Sequence, residues 1–146
     1  MSQRERLLAA IDADLEQDCS DYRALRALMG ELYERLLERD CAEIERLNLQ
    51  ITLHVEAIAL RAQRRSKVLA AFGLQADADG MRRLLASASG ALSQSLQQHW
   101  QQLGALAVQC QQLNGHNGQL LAMHHDVLHQ LLAGSPDARL YAPHAY

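Results

Sequence analysis

From Leu84 to His125 the chain carries no Asp, Glu, Lys or Arg, an uncharged run of 42 residues. Within it Leu96, Leu103, Cys110, Asn117 and His124 recur every seven residues and Leu131 follows in phase, with Leu106, Leu113, Leu120 and Val127 three positions after four of them. That spacing is a heptad seam along one long helix. Around it stand ten glutamines between Gln94 and Gln130, where an ordinary surface helix carries Glu and Lys. A glutamine donates and accepts hydrogen bonds but costs far less than an ion to remove from water. A helix built this way tolerates being covered by another protein.

With two prolines, one Phe and one Trp in a chain that is 49% hydrophobic, the core must be mostly Leu and Ala, which favours helices over sheets. The net charge of −3 points to no polyanion, so no nucleic-acid partner is expected. The distribution is more telling. Residues 1–83 hold 13 of the 14 basic and 15 of the 17 acidic residues, so one half is dressed for water and the other is not. Cys19, Cys41 and Cys110 show no CxxC spacing, which argues against a zinc site or a disulfide framework and fits a reduced, cytoplasmic setting. The start, MSQRERLLAA, is too charged for a signal peptide, and no stretch approaches the ~18 apolar residues of a membrane span, so no membrane insertion is expected.

Taken in order, Leu7, Leu8, Ile11 and Leu15 predict a short amphipathic helix over 3–16 that ends before the polar run Gln17 to Asp21, where Asp18 or Ser20 caps the next helix. Apolar positions from Leu25 to Leu69 then keep a helical period as far as Phe72, a rod of roughly 75 Å. Gly73 followed by Leu74 reads as a left-handed stop, and Asp77 and Asp79 cap and complement a helix beginning near Gly80. Ser87 to Gly90 marks a kink or break, after which the uncharged helix runs to about Leu132 and ends at Gly134 and Pro136. The expected fold is all-α: an elongated antiparallel hairpin or bundle of two long helices with shorter N-terminal and connecting helices. Residues 1–134 form its single domain and 135–146 a flexible C-terminal tail.

Few residues invite chemistry. His125 and His129 lie one turn apart, but a zinc site wants a third ligand and the HExxH arrangement is absent, so no metal is assigned and both are read as polar surface near a helix end. Cys110, on the seam, reads as a small buried hydrophobe. There is no glycine-rich phosphate loop, nucleophile elbow or paired carboxylate, so neither an enzyme nor a cofactor is expected. Trp100 fits internal packing or a partner hot spot. Asn117 either fixes register between helices or bonds a guest, and Gly118 beside it lets another chain approach.

The segment Leu113-Asn114-Gly115-His116-Asn117-Gly118-Gln119-Leu120-Leu121 has the pattern Leu-Asn-x-x-Asn-Gly-x-Leu-Leu. Late in a small Gln- and Leu-rich helical chain, it resembles the FlgN-type flagellar export chaperones. The likeness extends to Leu36-Leu37-Glu38-Arg39-Asp40, to Ile44-Glu45-Arg46-Leu47-Asn48, and to the ending Leu140-Tyr141-Ala142-Pro143. The resemblance implies a cytosolic protein that binds hook-filament junction subunits, keeps them from assembling early and hands them to the flagellar export gate. In that family the C-terminal helical region holds the cargo, which maps here onto Leu103 to Leu131. The residues expected to bind the amphipathic C-terminal helices of these subunits are Trp100, Leu103, Leu106, Cys110, Leu113, Asn114, Asn117, Gly118, Leu120, Leu121, Val127 and Leu131. Tyr141 matches the aromatic offered to the gate. A carrier of this kind should be a monomer or weak homodimer; the alternative is a structural coiled coil that uses the same seam to self-associate without cargo.

Overall fold

The computed structural model describes residues 1–131, with side chains described through Leu120 and at Ala122. Four helices account for nearly all of it: α1 (Gln3–Glu38), α2 (Cys41–Ala71), α3 (Ala78–Ala86) and α4 (Gly90–Leu131). The all-α class is as expected, with three long helices in place of two. The tail expected over 135–146 lies outside the described residues.

α1 starts in a capping box, the Ser2 hydroxyl accepting from the Glu5 N–H at 3.1 Å and the Glu5 carboxylate accepting from the Ser2 N–H at 3.3 Å. It then runs straight through the polar stretch where a break was expected. Asp14, Asp18 and Asp21 fall at i, i+4 and i+7, on one face, and that face meets a basic face of α2. Asp14 accepts from Arg64 at 2.8 and 3.1 Å, and the fully buried Asp18 accepts from Arg61 Nε at 2.5 Å and from Arg65 at 3.0 Å. Asp21 takes Arg61 and His54, the latter at 2.8 Å. A run that looks like a solvated loop is one side of an interhelical ion ladder.

The expected rod is instead cut at Arg39. This residue adopts a left-handed conformation with φ of 56°, the Asp40 N–H returns to the Arg35 carbonyl at 3.1 Å, and the Asp40 carboxylate caps α2 by accepting from the Glu43 N–H at 3.3 Å. No Gly or Pro marks the turn, and the leucine pattern stays in phase across it, so it is silent in the sequence. Arg46 ties the hairpin together through Glu31 at 3.3 Å and Glu43 at 2.8 Å; its hydrogen bond holds the Glu43 carboxyl below the usual range. These are exposed pairs of small net worth.

The stop at Gly73 is as expected: its φ is 71°, and the Leu74 N–H reaches the Leu69 carbonyl at 2.9 Å. Asp77 caps α3 by accepting from the Gly80 N–H at 2.7 Å, and a Cβ on Gly80 would fall 1.8 Å from the Gln75 carbonyl oxygen. α3 ends at Ala86 and α4 begins at Gly90, whose φ is 64°.

α2 runs antiparallel to α1, whereas α4 runs parallel to it: Asp12 lies beside His99, Tyr22 beside Cys110 and Met29 beside Asn117. α1 is therefore the central helix, and no Cα of α2 comes within 8 Å of one in α4 among the described residues. All four helices feed the core at one end, through Leu8, Ile11, Leu15, Leu69, Met81, Leu84 and Leu96 among others. At the other end three contribute among the described residues, through Leu32, Leu36, Leu47 and Leu120.

Candidate functional site

The heptad seam of α4 faces its own chain. Leu96, Leu103, Leu106, Cys110, Asn117 and Leu120 are buried, and Trp100 and Leu113 are half-buried. They close against a matching stripe of α1 that includes Leu8, Ile11, Leu15, Cys19, Leu25, Met29, Leu32 and Leu36. Asn114 is exposed and Gly118 half-exposed. The side chains of Leu121, Val127, Leu131, His125 and His129, and all of Tyr141, lie outside the described residues. Within them, no three His, Cys, Asp or Glu side chains group as metal ligands, and no helix is long and apolar enough to cross a membrane.

α1 supplies the ionic groups that α4 lacks, along one edge of the seam. The Asp12 carboxylate accepts from the Ser95 hydroxyl at 2.7 Å and lies 2.8 Å from His99 Nδ1, while Arg26 donates to the Gln109 amide oxygen at 2.8 Å and Arg23 to that of Gln102 at 3.5 Å. Gln97, Gln98, Gln101, Gln111, Gln112 and Gln119 remain exposed on the other sides. Cys19 and Cys110 point their thiols at the His99 and Tyr22 carbonyls, each at 3.4 Å, and burial pushes both thiol pKa values up. They behave as small hydrophobes, not as nucleophiles. Trp100 packs against the larger core and carries the Arg65 guanidinium over its ring, 5.8 Å from the centroid. Since Arg65 also holds Asp18, this one contact ties α4 to the ion ladder.

At the end of the bundle that α3 does not reach, a groove of about 460 Å³ opens between α2 and α4. Its floor is Met29, Leu32 and Leu36 of α1; one wall is Ile44, Asn48, Ile51 and Thr52 of α2, and the other is Asn114, Asn117 and Gly118 of α4. Asn117 donates its amide N–H to the Met29 carbonyl at 3.1 Å, which pins α4 against α1, while its Oδ1 is buried with no partner among the described residues. The three α4 residues belong to the Leu-Asn-x-x-Asn-Gly segment singled out from the sequence. The four on α2 do not. Their signal was present as an uncharged helical face, Ile44, Asn48, Ile51, Thr52, Val55, Ala59 and Ala62, but a face has no address until the turn at Arg39 folds it beside α4.

Compared with known protein families, residues 1–136 match the FlgN protein family. The chain belongs to that family. FlgN proteins are flagellar export chaperones, so the buried seam and the open groove belong to a protein that handles flagellar subunits. No curated protein and no solved structure shows a significant match to this FlgN chain.

Proposed function

We propose that this protein is a cytoplasmic chaperone that binds hook-filament junction subunits through α4, prevents their premature assembly and delivers them to the export apparatus. The observation that carries this reading is the family membership taken together with α4, whose surface is lined with amides and bears no Asp, Glu, Lys or Arg from Gly90 to His125. Axial subunits polymerise through amphipathic helices, and such a helix unpaired in the cytosol is an aggregation hazard that another helical surface can cover. Amides satisfy varied neighbours without demanding a matched charge, which suits a carrier of more than one subunit. Because the described seam is occupied by α1, guest contacts fall on its exposed margins, at Asn114, Gly118 and the half-buried Leu113, and on the part of α4 around Leu121, Val127 and Leu131. Tyr141 is assigned to the export gate.

Co-purification tests this reading. The tagged chain expressed in a flagellated cell should recover junction subunits, and a chain truncated before Leu140 should recover them equally while failing to support their export. Absence of any junction subunit from the full-length sample would remove the reading.

A second reading has its own support. Leu49, Leu53 and Leu60 are 64%, 59% and 62% exposed on the outer side of α2, an apolar stripe of the kind that mediates self-association. A mass measurement by light scattering separates the two: a carrier is a monomer or weak dimer that shifts on adding a subunit peptide, and a structural coiled coil is a stable oligomer that does not.

A further inference from the structure

Building on the chaperone reading, we infer that the guest is held as a helix in the groove between α2 and α4, so that α2 is half of the docking surface. The seam is not available for this purpose, because α1 fills it. The groove is available. Helices that pack directly sit about 8–10 Å apart, and among the described residues α2 and α4 are splayed beyond that distance, leaving between them a groove whose apolar floor is Met29, Leu32 and Leu36 of α1. A further helix laid there completes at this end the four-helix layering that α3 supplies at the other.

The lining specifies the chemistry of the occupant. Neither wall carries an ion: Ile44, Asn48, Ile51 and Thr52 face Asn114, Asn117 and Gly118. An inserted face must therefore be apolar, entering with side chains at i, i+3 or i+4, and i+7. Beta carbons added at Gly115 and Gly118 would meet nothing within 4 Å, so the α4 wall is low and a second backbone can come close.

Charge sets the flank. Glu45 and Glu56 are exposed one turn to either side of Asn48 and Thr52, and the ion pairs of α2 engage Glu43, Arg46, His54, Arg61, Arg64 and Arg65 instead. The α4 rim opposite is made of amides. The occupant this surface fits is an amphipathic helix of an exported subunit with an apolar face, and Lys or Arg along the edge that lies over α2.

Site-specific photocrosslinking on the full-length chain tests this, using synthetic C-terminal peptides of the junction subunits as the probe. A benzophenone amino acid at Thr52, in the groove, should capture the peptide, and one at Leu60, on the outer side of α2, should not. The double variant Asn48→Arg/Thr52→Arg should weaken peptide binding at least tenfold. Its helicity and Tm should stay unchanged, because both positions are exposed. Glu45→Lys/Glu56→Lys should weaken binding a few-fold, with a reversed dependence on salt. The inference is overturned if the peptide binds the unmodified chain but crosslinks only from Leu60, or if the arginine pair leaves its affinity intact. It is equally overturned if Thr52 captures residues 132–146 or a second copy of the chain while saturating peptide is bound. Failure of every peptide to bind the unmodified chain overturns the chaperone reading as well, which distinguishes the two failures.

Discussion

α1 is held by two neighbours in two different ways. Toward α2 it offers carboxylates at Asp14, Asp18 and Asp21 to a row of Arg61, Arg64, Arg65 and His54; toward α4 it offers Leu, Ile, Cys and Met to a seam without a single ion. Buried ion pairs contribute little net stability because desolvation offsets attraction, but a pair stripped of one member is costly. An apolar seam stabilises through area and tolerates small offsets in register. The α1–α2 hairpin is therefore the element whose alignment is specified charge by charge. The α1–α4 interface is specified mainly by shape, with Asn117 as the one buried polar pin among the described residues.

Substitutions at the two interfaces should separate these modes. Asp18→Ala leaves Arg61 and Arg65 facing a buried void and should cost about 3–5 kcal/mol in urea unfolding. Replacing Asp18 and Arg61 together by leucine should recover much of that loss, and a double variant as unstable as the single would show that the ladder stabilises in its own right. Leu96→Ala, at a fully buried position where four helices meet, should cost about 2–5 kcal/mol. The same change at Leu120, at the three-helix end, should cost less, since there the surroundings can collapse into the groove. Asn117→Leu removes one hydrogen bond and one orphaned acceptor together, so stability should move by no more than about 1 kcal/mol, whereas Asn117→Asp, which buries a charge, should be clearly destabilising.

The smallest effect concerns the thiols at the α1–α4 interface. Burial raises the pKa values of Cys19 and Cys110, so the unfolded chain releases these protons first as pH climbs past the ordinary thiol value of about 9. Their contribution is intact at neutral pH and falls as pH rises beyond that point. Thermal midpoints between pH 8 and 10 should decline more gently in the Cys19→Ala/Cys110→Ala variant. In the unmodified chain at pH 8, exposed Cys41 should react with a disulfide reagent at once, and Cys19 and Cys110 only at the rate at which α4 lifts from α1.

The α4 wall of the candidate site is legible in the sequence. Asn114, Asn117 and Gly118 stood out as polar and small residues on or beside an apolar heptad, and they line the groove. In the sequence alone Ile44, Asn48, Ile51 and Thr52 belong to an uninterrupted rod, because the turn at Arg39 uses a left-handed arginine where punctuation by Gly or Pro is the usual sign. The polar run around Asp18 misled in the opposite sense, since composition alone does not distinguish carboxylates that face water from carboxylates that face arginines.

The sequence by itself determined that this chain is helical, that its uncharged half forms one long amphipathic helix, and that the chain looks like a FlgN-type chaperone. These follow from periodicity, from propensity and from residues adjacent in the chain. Tertiary structure alone decided which helix covers the seam, where the first hairpin turns, and that a groove remains between α2 and α4. Those outcomes depend on pairings between residues forty to ninety positions apart, such as Asp18 with Arg61 and Met29 with Asn117, and no local pattern encodes which of several compatible faces will meet.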